Sequence, residues 1–415
     1  MREIYTGIDI GSDSIKIVVS EFLDGRFNIL ASTNVRSTGI KKGLVVDKEL
    51  AINSLKLALK EIEPSIGVKI DKAVITVPAN ERRFSVVSGN TRIISEDGIV
   101  TGEDIVSSLE DAVIEKLQEK ESLVTIIPIT FTVDDKESVQ DPKGLHGEYL
   151  EVKAVLVAAP KKTIIPFLEI FESCGIEVID IVFGSIGDYY EAKNNDMDKK
   201  LGAVINIGSE KIDVSIFNKG IIIKQDNIEL GSKNIDKDIS YIYGVDLTTS
   251  RTLKENFAVC SRRYADVNDV LEIETKSGDR VIINQYEISE IVESRVVELL
   301  KLAKKQINAL TKRKISYIIV TGGISELTGF SYVVENTLGI TANTLNITTI
   351  GIRNNKYSSA FGIIKYYHEK LKLREQTSSM FDEDKIEEML NNKRSIKKTT
   401  NDTIVSKVFG YFIGN

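Results

Sequence analysis

The chain has 415 residues, 42% of them hydrophobic and 28% charged, with a formal net charge of −7. That length allows several domains with sizeable cores, and the acidic balance argues against a nucleic-acid-binding protein, whose usual footprint is a basic surface. Cys174 and Cys260 stand far apart and only His146 and His368 accompany them, so neither a disulfide framework nor a Cys/His metal site is expected, and no run approaches a membrane span.

The first elements read as strands, Ile4 to Ile10 and Ile15 to Val19, joined by a small polar turn within GIDIGSDSIKIVV. Such a turn exposes successive backbone N–H groups, and small residues let an anion approach them. Gly11, Ser12, Asp13 and Ser14 would line this nest and Lys16 would add charge. Asp9, just ahead of the glycine, can hold Mg2+, which usually takes one or two carboxylates together with phosphate oxygens. Leu55, Leu59 and Ile62 then recur at helical spacing behind an Asp47 cap, and Ala73 to Val77 forms a further strand. This alternation predicts an α/β protein.

From Arg83 to Pro160 the pattern changes to short strands around one helix, whose start at Thr101-Gly-Glu-Asp104 has the form of a capping box. Residues 83–160 are therefore read as an inserted subdomain. From Leu201 the opening design returns: VINIGSEKIDVSIF lays Asn206 on Asp9, Gly208 on Gly11, Ser209 on Ser12 and Ile212 on Ile15, a repeat about 200 residues long that predicts two similar α/β halves. Glu210 and Lys211 are expected to face water, as charged turn residues usually do. Further on, a buried-type strand runs into Gly322 and Gly323 in IIVTGGIS, backbone against which a nucleotide can lie. Two turns facing each other across a cleft would clasp the two ends of a triphosphate. The spacing matches neither a dinucleotide fingerprint nor a Gly-Lys-Ser/Thr loop.

After Leu373 the composition becomes that of a linker. The chain then ends on TIVSKVFGYFIGN, where Ile404, Val405, Val408, Phe409, Phe412 and Ile413 share one arc of a helix. Such a helix is too short to span a bilayer. It would lie in the interface, with nearby Lys393, Arg394, Lys397, Lys398 and Lys407 drawn to an anionic membrane surface. Gly410 lowers its helicity, so reversible binding is expected, gaining strength when many copies are joined.

The order GIDIGSDSIKIVV, NIGSEKID, IVTGGIS resembles the actin-like ATPase superfamily, which includes actin, the heat-shock chaperone ATPases and sugar kinases. STGIKKGLVVDKE, ITFTVDDKESVQDPKGLHGEYLEVKAVLV, EISEIVESRVVEL and YSSAFGIIKYY are similar to the FtsA family of bacterial cell-division proteins, and the segment from Asp141 to Gly147 is its most specific mark. The resemblance implies an actin-like fold of two duplicated α/β halves around a nucleotide cleft. By it, 1–82 and 161–200 are subdomain 1A and 83–160 is an SHS2-like subdomain 1C. Residues 201–240 and 313–372 are 2A with a return to 1A, 241–312 is 2B, 373–402 is a flexible linker, and 403–415 is a membrane-targeting amphipathic helix.

The same resemblance implies ATP and Mg2+ as ligands. Asp9, Gly11, Ser12 and Lys16 match the first phosphate loop, with Asp9 at the metal. Gly208 and Asp213 match the second, beside Ser209 and Gly231. Gly322, Gly323 and Ile324 match the adenosine loop, with Lys254 near it. Arg295 matches the helix that receives the C-terminal tail of the tubulin-like protein FtsZ. Implied partners are further copies of the chain, other division proteins through subdomain 1C, and the cytoplasmic side of the cell membrane at the septum. Where many members have Asp-Ile-Gly-Gly-Gly-Thr this chain has Asn206-Ile-Gly-Ser209-Glu210-Lys211, and Arg251 replaces a usual Glu. ATP binding with at most weak hydrolysis is the expectation. A PilM-like pilus scaffold and a small-molecule kinase of the same superfamily are the alternatives.

Overall fold

The structure is a computed structural model that describes residues 2–391. The proposed membrane residues Ile404, Val405, Val408, Phe409, Phe412 and Ile413 lie outside the described residues.

The first half opens with strands β1 (Glu3–Ile10), β2 (Ser14–Leu23) and β3 (Arg26–Arg36), followed by a short pair, β4 (Ile40–Lys41) and β5 (Leu44–Val45). Helix α1 (Lys48–Ile66) starts at Asp47, whose carboxylate accepts from the Leu50 N–H, and buries Leu55, Leu59 and Ile62 on one face. Strand β6 (Lys72–Val77) leads into an excursion of β7 (Arg83–Arg92), α2 (Gly102–Asp111), β8 (Glu121–Val133) and β9 (Tyr149–Pro160). Its three strands form a sheet in the order β7-β9-β8. Phe131, Leu150 and Ile105 lie in a hydrophobic core of its own. The box at the start of α2 is present: Asp104 accepts from the Thr101 N–H at 2.8 Å.

The chain returns through α3 (Lys161–Glu172), β10 (Glu177–Phe183) and α4 (Gly184–Ala192). The second half contains β11 (Leu201–Ile207), β12 (Ile212–Asn218), β13 (Ile221–Ile228), α5 (Lys233–Tyr243), α6 (Leu247–Asn256), a hairpin of β14 (Val270–Glu274) and β15 (Arg280–Asn284), and the long helix α7 (Gln285–Leu310). After it come β16 (Tyr317–Thr321), α8 (Phe330–Leu338), β17 (Ala342–Thr344) and α9 (Ser358–Leu373).

The two halves carry sheets of the same design. One runs β3-β2-β1-β6-β10 and the other β13-β12-β11-β16-β17, each an antiparallel meander continued by two parallel strands. Helices α4 and α9 cross between the halves at glycines. A Cβ on Gly362 would stand 1.8 Å from the Gly187 carbonyl oxygen, so only glycine permits this approach. The cleft lies between the halves, walled by the two sheets' β1–β2 and β11–β12 turns.

The stretch expected as flexible linker departs from expectation over its described part. Met380, Phe381 and Met389 are buried in the core of the first half, and a helical stretch runs through 383–391. Met380 donates its N–H to the Ile4 carbonyl at 2.9 Å, and Lys385 pairs with Asp71. Isolated apolar residues in a polar run have no periodicity to betray this packing.

Candidate functional site

The two turns share one backbone pattern. Gly11 donates its N–H to the Ser14 carbonyl at 3.0 Å, and Gly208 does the same to Lys211 at 3.0 Å. In the ladders Asp9 faces Lys16 and Asn206 faces Asp213. Both turns border one cavity of about 430 Å3 between the halves. Asp9, Gly11, Ser12, Asp13, Ser14 and Lys16 line it from one side. Gly208, Ser209, Asp213 and Lys254 line it from the other, with Gly322, Gly323 and Ile324 forming a further wall.

Gly231 alone among the expected ligands does not line the cleft. It is pressed against the back of the second turn, where a Cβ would lie 2.4 Å from the Ser209 carbonyl oxygen. Its role is to let that turn sit close to α5. Glu210 and Lys211 also differ from expectation, because neither is left to water. Glu210 accepts from the Lys42 N–H at 2.8 Å and from Lys233 Nζ at 2.9 Å, and Lys211 pairs with Asp213 at 3.1 Å. Lys254 is buried in an ion pair with Asp236 at 2.7 Å.

The chemistry of the wall suits a polyanion and a hard cation. Asp9 accepts from Thr76 Oγ1 at 2.8 Å and pairs with Lys16 Nζ at 3.2 Å, which aims it and leaves lone pairs free. Asp213 Oδ1 is buried with no hydrogen-bond partner, an acceptor in need of a donor or cation. Lys356 also borders the cleft, and burial, with Lys16 adding repulsion, pushes its ammonium below the usual lysine range. Cations held together in this way gain from a bound anion. Among the described residues no cluster of three or more His, Cys, Asp or Glu could hold a metal unaided. A metal carried with phosphate oxygens and held by Asp9 fits this donor set.

Sequence reasoning missed Asp188 and Lys356. Asp188 on α4 is 1% exposed, and burial pushes its carboxyl up to about 6. Its sequence signal was a lone acid inside the apolar stretch VFGSIGDYY, where burial demands partners. Lys356 sits in a single 3-10 turn, Asn355–Tyr357, just ahead of α9, with no motif to mark it.

Arg295, expected at a partner surface, lies away from the cleft on α7. Its guanidinium holds Asp238 of α5 at 2.6 and 2.9 Å. With Glu290, Ile291 and Ser294 it borders a shallow groove rimmed by Ile242 and by Tyr241, which is 90% exposed.

Duplicated sheets, a cleft between them and crossing helices at its floor define the actin-like class of α/β proteins. Solved structures of that kind superpose: the PilM-PilN type IV pilus biogenesis complex (TM-score 0.58, 12% identity, 89% of this chain and 98% of that one) and MreB5 of Spiroplasma citri bound to AMPPNP (0.53, 12%, 89% and 97%). At such identities the likeness is one of fold. In sequence, the family model "Cell division protein FtsA" matches residues 203–362 and "SHS2 domain inserted in FTSA" matches 82–158. Cell division protein FtsA of Bacillus subtilis is 27% identical over 368 residues, covering 88% of this chain and 83% of that protein. The counterpart from Enterococcus faecalis is 25% identical over 367 residues, with the same coverage. The chain belongs to the FtsA family of cell-division proteins.

Proposed function

We propose that this cell-division protein binds ATP with Mg2+ in the cleft, assembles with copies of itself, and ties FtsZ filaments to the cytoplasmic side of the cell membrane at the division septum. The observation that carries the ATP reading is the pair of matched turns bordering one cavity, with Lys16 and Lys356 beside them. Backbone donors at Gly11 to Ser14 and at Gly208 and Ser209 would take the phosphates. Gly322, Gly323 and Ile324 would back the adenosine, near Lys254. Asp9 would hold the metal, directly or through water, and Mg2+ would neutralise phosphate charge there. With an amide at Asn206, the chain is at most a weak ATPase.

The groove beside Arg295 supports a docking role. Tyr241 and Ile242 offer apolar surface and Arg295 a charged rim, features suited to an extended FtsZ C-terminal tail. The excursion from β7 to β9 exposes Val86, Ile94 and Ile114, apolar surface for contacts with copies of the chain or other division proteins. Membrane attachment rests on the apolar arc of 404–413 in the sequence.

Vesicle co-sedimentation tests the whole reading. The full chain with ATP and Mg2+ is expected to bring FtsZ down with anionic vesicles, and a chain ending at Thr400 is expected to leave it in solution. Equal behaviour of the two chains would overturn the tether.

A further inference from the structure

Asp188 is a buried carboxylate at the cleft floor that the phosphate turns do not require. It sits on α4 of the first half and is gripped from three sides. Oδ1 accepts from Ser358 Oγ at 2.6 Å and Ser359 Oγ at 2.8 Å, both on α9, and Oδ2 accepts from Asn206 Nδ2 at 2.7 Å. Thr321, at the end of β16, donates to Ser358 at 3.1 Å and extends the chain of bonds to the adenosine wall. Asp188, Asn206 and Ser359 all border the cleft, and Asn206 belongs to the second turn's own strand.

An ionised carboxylate only accepts hydrogen bonds, so the Asn206 amide must turn its NH2 toward Asp188. Its carbonyl oxygen is left on the opposite side, where a Cβ on Gly322 would lie 3.1 Å from it. The internal duplication shows what this does. In the first turn Asp9 brings its own carboxylate to the cleft. At the equivalent position in the second turn the side chain is neutral, its oxygen beside Gly322, and the negative charge sits next to it on Asp188, which also borders the cleft.

We infer that Asp188 is a positioning residue for the nucleotide: by accepting the Asn206 amide it holds the Asn206 carbonyl oxygen toward the metal and phosphates. The arrangement gives the second turn a directed acceptor. It also places that acceptor under the control of α4 and α9, the helices that join the halves. The inference rests on the ATP reading above.

The test is binding of a fluorescent ATP analogue to the full chain, with Mg2+ and with EDTA, alongside the melting temperature of the free protein. Asp188→Ala is expected to weaken binding about tenfold with Mg2+ and to change it little with EDTA, as removal of a residue that orients a metal ligand does. A merely structural loss would weaken both equally. N206D places two carboxylates across a hydrogen-bonding gap and is expected to lower the melting temperature. The double exchange D188N/N206D keeps one carboxylate and one amide across that gap and is expected to restore both stability and Mg2+-dependent affinity to within about threefold of wild type. If Asp188→Ala does not fold, the exchange decides the matter.

Wild-type affinity in Asp188→Ala, equal losses with Mg2+ and EDTA, or a double exchange weaker than either single change would overturn the inference and leave ATP binding standing. If the wild-type chain binds no analogue in either condition, the ATP reading falls and this inference falls with it.

Discussion

Arg251 on α6 spans the mouth of the cleft and holds the Asp13 carboxylate of the first turn with two contacts of 2.7 Å each. The pair joins the two halves beside the place where phosphates are proposed to lie. Lys42 adds a second link, pairing with Glu229 at 2.6 Å from the opposite half. The described cleft is therefore fastened from outside as well as hinged from below.

Loosening that fastening should speed the escape of bound nucleotide. The Arg251 and Asp13 side chains are about one-third exposed, so their attraction is screened and worth about 1 kcal/mol. Arg251→Ala is expected to raise the release rate of a fluorescent ATP analogue about fivefold, measured by displacement in a stopped-flow instrument. An unchanged rate would mean that the pair does not close the cleft.

The helix crossing makes a sharper demand. Ala at Gly362 would drive a methyl into the Gly187 carbonyl, and because the obstacle is backbone the helices must part. Gly362→Ala is expected to cost about 3 kcal/mol in urea unfolding, the upper end for overpacking. A loss below about 1 kcal/mol would show that α4 and α9 have room to slide.

The packed segment after α9 should be part of the folded unit. Phe381→Ala removes a buried aromatic and is expected to cost about 3–5 kcal/mol, and Met380→Ala about 2–5 kcal/mol. A chain ending at residue 391 should melt with the full chain, whereas one ending at Leu373 should melt several degrees lower. Scanning calorimetry of the two truncations separates these outcomes.

Acid sensitivity is expected at the base of the inserted subdomain. Arg83 grips Glu121 with contacts of 2.8 and 2.5 Å and holds its carboxyl below the usual glutamate range. A depressed acid contributes stability that is present at neutral pH and lost as pH falls from the ordinary glutamate range through the lower folded value. Glu121→Gln should be less stable than wild type at neutral pH, and the gap should close on acidification. Urea midpoints taken from neutral to acid pH would show whether the two curves converge.

Much of the site was legible because its parts are local. Each phosphate turn is a few consecutive residues whose glycine and alternating strands declare themselves, and the same pattern twice announced the duplicated halves. Gly231 was misplaced because a glycine looks the same whether it faces a ligand or the back of a turn. Glu210 and Lys211 were expected in water because the sequence does not show that Lys42 and Lys233, or Asp213, wait beside them.

By itself the sequence determined the strand–turn–strand motifs, the repeat and the family, since periodicity and short motifs are properties of neighbouring residues, whereas the helical stretch at 383–391 and the length of the strands in 83–160 were not read from it. Only the tertiary structure decided which polar groups meet. Arg251 and Asp13 are 238 residues apart, and Ser358 and Asp188 are 170 apart. A burial pattern specifies that a charge needs a partner, but the choice of partner belongs to the packing of α4, α6 and α9, where distance along the chain no longer matters.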